Sequence, residues 1–488
     1  MKATEGLYDD AQHPHSHPRR ERSPTPPPPD LANGFPGPPV VLASAYPPPP
    51  EVLPPPHLLP ELPSGQRQPI WHNDPRIPYT LTTHIVPAAY WREDPDVDLP
   101  STVQEGGNLS KEERQRSARD GEARLLEIRR ELEAEAVSRT KEGKPRRGQQ
   151  RVLWLCFNRY VRIPNIQAKK DDLTLFFAHA NGFNKETWEP TLAALLSLPT
   201  SQCSIQEVWV WEAANHGDSA LLNQGNLNSL FHWRNAARDL LTFFTHYLPP
   251  KTSTDVLPTH LPRLSQCETA GRLKHGFYDS NVGVKTRTII GIGHSFGGCV
   301  STLASISSPS DSDEDPINND HPNSLARGAF GRRSTWNSRE AAKGAFLKSE
   351  FFRRWDTRVL DLYVEEGLVE SEVPVKQVRL KMPPLHEAIA FSDTRTGSEE
   401  AWVRLWRGEL KAKDVGLKWV VPGVGQKELG VTAYSTRTRV WLRPENSENV
   451  RMAGAGHLVP HEKPNELGHL IGRWTEEYLS VTGRKAKL

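Results

Sequence analysis

Apolar residues in this chain come in short runs separated by long polar stretches. Tyr79–Val86, Arg151–Ile163, Leu173–Ala178, Val208–Trp211, Thr288–Ile292, Val415–Pro422 and Asn449–Ala453 read as strands. Leu173–Ala178 and Val208–Trp211 have the make-up of strands covered on both faces. Helical spacing appears elsewhere. Between Asn108 and Lys144 the chain is mostly charge, yet Leu125, Ile128, Leu132 and Ala136 recur at helix period, which predicts a solvated helix with one packed stripe. Trp233–Leu248 places Ala237, Leu240, Leu241, Phe244 and Leu248 on one face, and Glu466–Leu479 is a further amphipathic helix. Strands interleaved with helices point to the α/β class, with a mostly parallel central sheet flanked by helices.

Large parts of the chain carry no such pattern. Residues 1–70 hold the proline blocks Pro26–Pro29, Pro47–Pro50 and Pro54–Pro56, so the backbone lacks donors and the segment is expected to be a disordered leader. A polyproline ligand for an SH3 or WW partner is its functional alternative. Residues 251–285 are polar and aperiodic and read as a surface insertion in the first part of the core, 71–304. Residues 305–324 form a Ser/Asp-rich linker.

Composition narrows the function classes. The 488 residues contain 61 basic and 59 acidic side chains, a net charge of +2, which gives no electrostatic case for nucleic acid or an anionic membrane. Cys156, Cys203, Cys267 and Cys299 form no C-x-x-C pair, so neither a disulfide framework nor a metal site is indicated. No run of about 18 apolar residues suits a membrane span, and no signal-type apolar segment opens the chain. No cofactor is implied.

The chemistry concentrates at Thr286–Ala304. The apolar residues Ile289, Ile290 and Ile292 run into Gly293-His294-Ser295-Phe296-Gly297-Gly298 and then into a small-residue helix. A serine on a sharp strand-to-helix turn needs glycine on both sides, and its hydroxyl then stands clear of the sheet beside a helix N-terminus. In hydrolases of this topology two backbone NH groups hold the developing oxyanion, one after the serine and one in an earlier strand-end loop. The expected pair is Phe296 and Asn181, the latter in His179-Ala180-Asn181-Gly182-Phe183. His457, on the glycine-containing loop Gly454–Val459, is the expected general base for Ser295.

The run Asn215–Leu241, NHGDSALLNQGNLNSLFHWRNAARDLL, resembles the corresponding stretch of the fungal peroxisomal α/β-hydrolases, the group of the yeast peroxisomal lipase and toxin-biosynthesis hydrolases. In it His216 and Asp218 are expected to shape the loop and not to react. The resemblance implies an α/β-hydrolase fold with a helical cap at 325–412 and the rest of the core at 413–482. In the cap, Phe346, Phe351, Phe352 and Trp355 either line an acyl pocket or form cap core. The family pattern puts an apolar strand where this chain has Ile306–Asp320. Only Asp315-Pro316-Ile317 fits, so either the sheet loses a strand or the sequence lacks a segment. Gln426 stands at the usual triad aspartate position, which leaves Glu428, two residues on, and Asp315 as candidate acids. The tail 483–488 ends in Ala486-Lys487-Leu488, a conservative variant of the S-K-L address read by the peroxisomal import receptor. The expected function is a peroxisomal serine hydrolase cleaving an apolar acyl ester or thioester. The alternative is a non-catalytic or weakened scaffold that binds an acyl ligand or a protein.

Overall fold

The computed structural model describes residues 45–485 apart from 91, 95–96, 102–109, 145–148, 164–172, 280–283, 286, 307–323, 372–375, 427–435 and 437–438. Five strands make the central sheet: β1 (Tyr79–Pro87), β2 (Trp154–Arg162), β3 (Leu173–Ala178), β4 (Ile205–Trp211) and β5 (Thr288–Gly293), in the order β1-β2-β4-β3-β5. The sheet is mixed. β1 and β2 pair antiparallel, as do β2 and β4, while β3 runs parallel to both β4 and β5.

The two-residue period of β3 and β4 explains the layers. Leu175, Phe177, Val208 and Val210 face a cluster with Leu192 and Leu195 of α2 (Glu189–Leu196) and with Leu470 and Ile471 near the C-terminus. Phe176, Ala178, Trp209 and Trp211 face the opposite cluster, with Leu240 of α3 (Trp233–Thr242) and Val300 and Leu303 of α4 (Phe296–Ile306). Each face is thus closed by helices. The long charged helix α1 (Lys111–Lys141) inserts Ala118 and Leu125 into the second cluster.

The region expected to be the cap, after α4, contains the helices α5 (Ser324–Phe330), α6 (Arg339–Phe346), α7 (Thr357–Glu366), α8 (Pro384–Ser392) and α9 (Thr394–Trp406). It also contains a small antiparallel sheet that helical periodicity did not announce, β6 (Thr335–Trp336), β7 (Leu368–Ser371) and β8 (Gln377–Leu380), in the order β6-β8-β7. The chain ends with β9 (Leu417–Pro422), β10 (Ser447–Met452), the short α10 (Val459–Glu462) and α11 (Pro464–Lys485). β9 and β10 pair parallel as a separate two-stranded sheet. Among the described residues no strand bridges β5 and β9, and β5 is half-exposed along its length.

Two boundaries differ from expectation. The leader expected to be disordered through residue 70 is packed from residue 45 onward. Leu53, Leu59 and Leu62 lie against Ile85 and Trp154, His260 bonds Pro60 O at 2.8 Å, and Arg67 is ion-paired with the fully buried Glu189. Proline removes donors but not side-chain contacts, so an extended strap can be held by its leucines and one arginine. Within the insertion 251–285, a helix runs from Gln266 to His275, started by a reciprocal capping box between Ser265 and Glu268.

Candidate active site

Ser295 sits between the end of β5 and the start of α4 with φ 53°, a left-handed conformation shared by only one other non-glycine residue among those described, Asn446. Such backbone costs on the order of 1–3 kcal/mol and persists only where its surroundings enforce it. Here they do. A Cβ on Gly293 would lie 2.5 Å from Gly297 O, and one on Gly297 would lie 2.4 Å from Ala178 O and 2.6 Å from His179 O. Both neighbours are backbone, so neither glycine can be replaced without moving a strand end. Phe296, the first residue of α4, has its NH outside the helical ladder. Its side chain is buried against Trp233, Phe231 and Trp211, at ring separations of 5.2, 5.9 and 5.9 Å.

β3 delivers the second turn, His179–Phe183, beside this elbow, with His294 NH bonded to Ala178 O at 3.0 Å. Gly182 takes φ 88° and donates its NH to His216 Nε2 at 3.0 Å. His216 Nδ1 lies 2.8 Å from Asn215 Oδ1, and Asn181 Oδ1 lies 3.0 Å from Nε2. Ala213 NH donates to His179 Nε2 at 3.0 Å in the same way. Burial holds both imidazoles well below their ordinary pKa, His179 at about 4. They are neutral struts of the turn. Neither the Asn181 NH nor the Phe296 NH has an acceptor among the described residues.

His457 follows β10. Its Nε2 is buried and has no partner among the described residues, so no hydrogen bond joins it to Ser295 Oγ in this state. Burial, and then the charge of Arg439, lower its pKa to about 4. The residue before Ser295 does reach this loop: His294 has its ring 5.3 Å from that of His457 and its Nε2 2.9 Å from His457 O. Glu462 Oε2 accepts from Gly456 NH at 2.9 Å and from Arg354 at 2.7 Å, bracing the loop from α10 and from the cap. Gln426 Oε1 accepts from the same Arg354 at 2.8 Å. Glu428 and Asp315, the two candidate acids, lie outside the described residues.

His461 was not anticipated from the sequence. It is fully buried, with both ring nitrogens unpartnered among the described residues, between Phe183 at 4.2 Å, Trp355 at 4.5 Å and His294 at 5.6 Å. Burial lowers its pKa to about 3. Phe346, Phe352 and Trp355 pack on one another and on Tyr363, so they form the cap's own core, and Phe351 is exposed. The site and cap meet through Phe183, 5.3 Å from Trp355. His216 and Asp218 belong to the scaffold: Asp218 is ion-paired with Lys185 and Lys381. Among the described residues no group of three or more His, Cys, Asp or Glu side chains is arranged to hold a metal.

Comparison with known proteins bears on this geometry. The model of the alpha/beta hydrolase family matches residues 175–468, from β3 through the His457 loop into α11. Peroxisomal membrane protein LPX1 of Saccharomyces cerevisiae is 38% identical over 74 residues, 15% of this chain and 19% of that protein. The type I acyl-CoA thioesterase mpaH of Penicillium roqueforti is 25% identical over 252 residues, 45% of this chain and 50% of the relative. The chain thus spans half or less of the length of these curated relatives. Among solved structures, the peroxisomal alpha-beta-hydrolase Lpx1 of Saccharomyces cerevisiae superposes with a TM-score of 0.53 at 16% identity, covering 83% of this chain and 90% of that one.

Proposed function

The chain belongs to the alpha/beta hydrolase family, and we propose that it is a serine hydrolase that cleaves an ester or thioester of an apolar acyl group. The observation that carries this reading is the strained Ser295 between two glycines whose Cβ positions are occupied by backbone. Strain of that kind serves to present a side chain, and the side chain presented is a hydroxyl next to an imidazole loop.

In the proposed reaction Ser295 Oγ attacks the acyl carbonyl carbon while His457 Nε2 takes the hydroxyl proton. The carbonyl oxygen becomes an oxyanion and receives the Asn181 and Phe296 NH groups. Collapse breaks the bond to the leaving oxygen or sulfur, which takes the proton from His457 and departs, leaving an acyl-serine. A water then repeats the sequence in reverse, releasing the acid and restoring the serine. Glu428 is proposed to hold the His457 tautomer. The thioesterase relative supports an acyl substrate. The terminal Ala486-Lys487-Leu488 and the peroxisomal relatives support import through the receptor that reads such tails, and hence a peroxisomal location.

A fluorophosphonate probe tests the chemistry. Wild type should be labelled, Ser295→Ala not at all, His457→Ala and Glu428→Gln slowly. A second reading, an acyl-binding scaffold without turnover, is favoured by Gln426, which bonds the cap arginine Arg354 from the position where a triad aspartate is usual. Wild type that stays unlabelled would leave only that reading. For the location, a fluorescent fusion lacking Leu488 should spread through the cytosol, and retained puncta would remove the targeting claim.

A further inference from the structure

The nucleophile and the base stand on different sheets. β5 carries the elbow in the five-stranded sheet, whereas among the described residues β9 and β10, which lead to His457, pair only with each other. Among those residues no backbone ladder transmits position from Ser295 to His457. Apolar packing of Ile290 and Ile292 with Val420, Val450 and Met452 brings the two sheets together. Such packing is non-directional and does not set the aim of a ring to within a fraction of an ångström.

One directional contact crosses the gap. Among the described residues, the only hydrogen bond between the elbow Gly293–Gly298 and the loop Ala453–Leu458 runs from His294 Nε2 to His457 O, at 2.9 Å. A carbonyl oxygen only accepts, so His294 carries its proton on Nε2, and its buried Nδ1 has no partner among the described residues. The backbone of His294 is fixed on both sides, its NH on Ala178 O at 3.0 Å and its O on Gly297 NH at 2.9 Å. The side chain thus reaches the base loop from the stiffest point of the elbow.

We propose that His294 is a positioning residue, whose Nε2–H bond to the His457 carbonyl sets the alignment of the His457 ring with the Ser295 hydroxyl across the two sheets. This rests on Ser295 and His457 being nucleophile and base.

The test places the same amide at two reaches. In His294→Gln the side-chain NH2 occupies the place of Nε2, and in His294→Asn it stops near that of Nδ1. Fluorophosphonate labelling should slow about 10- to 100-fold in the Asn variant, the scale expected for a displacement near 1 Å. The Gln variant should label several-fold faster than the Asn variant at a similar melting temperature, and kcat on a short p-nitrophenyl ester should fall more than KM rises. Asn labelling at the wild-type rate, or Gln and Asn equally slow, overturns the proposal. Labelling that persists in Ser295→Ala, or is absent in wild type, removes the parent reading instead and takes this one with it. If neither variant folds, ¹⁵N-histidine NMR of the wild type decides: an Nε2–H tautomer at His294 is expected, and an Nδ1–H tautomer refutes the link.

Discussion

Lys381, just past the last strand of the cap, donates to the Asp218 carboxylate of the core at 2.6 Å, with both side chains all but sealed from water. Lys185 reaches the other Asp218 oxygen at 2.9 Å, and Ser64 of the N-terminal strap lies 2.7 Å from both Lys381 Nζ and Asp218 Oδ1. Strap, core and cap therefore converge on one carboxylate. Burial alone would raise the pKa of Asp218, but the two lysines prevail and hold it well below the ordinary value.

Lys381→Met should lower unfolding free energy by about 3–5 kcal/mol, because it leaves a buried carboxylate with one partner fewer. Urea denaturation measures the loss, and limited proteolysis should show the cap cut before the core. A change below about 1 kcal/mol would mean the cap is held by its apolar contacts alone.

Glu212 in the same cluster behaves oppositely. Burial raises it, Lys185 lowers it, Glu186 and Asp218 raise it further, and its carboxyl reaches about 7 from 4.5. The folded chain then keeps a proton that the unfolded chain has released. Its contribution to stability is present below about pH 4.5 and is lost as pH rises toward 7. Glu212→Gln should remove that slope in a series of melts across the window, and an unchanged slope would assign it elsewhere.

His457 is depressed to about 4, so it is neutral, and able to accept a proton, well below the usual imidazole range. In assays brief relative to unfolding, the acid limb of kcat/KM should have its midpoint near pH 4 to 5 and not near 6.5. Removing the charge in Arg439→Gln should move that midpoint upward. For stability the sign is that of a group whose folded pKa is lowered. His179, His457 and His461 lose stabilisation as pH falls from 6.5 toward their folded values.

Gly297→Ala should abolish labelling of Ser295, since the new methyl would sit 2.4 Å from Ala178 O and 2.6 Å from His179 O. It must push α4 away from the end of β3 or shift the turn that carries Asn181. Labelling at more than about a tenth of the wild-type rate would mean the elbow relaxes more easily than close packing allows.

Much of this was legible in the residues themselves. Leu173–Ala178 was read to its observed ends, and Thr288–Gly293 and Phe296–Ile306 bracket the serine as the motif requires. Ile306–Asp320 reads as polar where the family pattern has an apolar strand; residues 307–323 lie outside the described residues, and among those described β9 and β10 stand apart from β5. Arg129 was the opposite case. On α1 it looked like one more solvated charge, yet it is fully buried, paired with Asp393 and 3.2 Å from Ser392 Oγ. No periodicity marks a charge whose partner lies more than 250 positions away.

What the sequence by itself determined is local: where strands and helices run, which glycines free the serine turn, and which side chains have the right chemistry for hydrolysis. These follow from backbone conformational limits and from patterns that repeat within a few residues. The tertiary structure decided which charges lose water, that a proline-rich strap packs from residue 45, and that His294 spans two sheets to the loop of His457. Burial and hydrogen bonding between distant segments depend on how those segments are brought together, and that information lies in the packed molecule and in no single stretch of it.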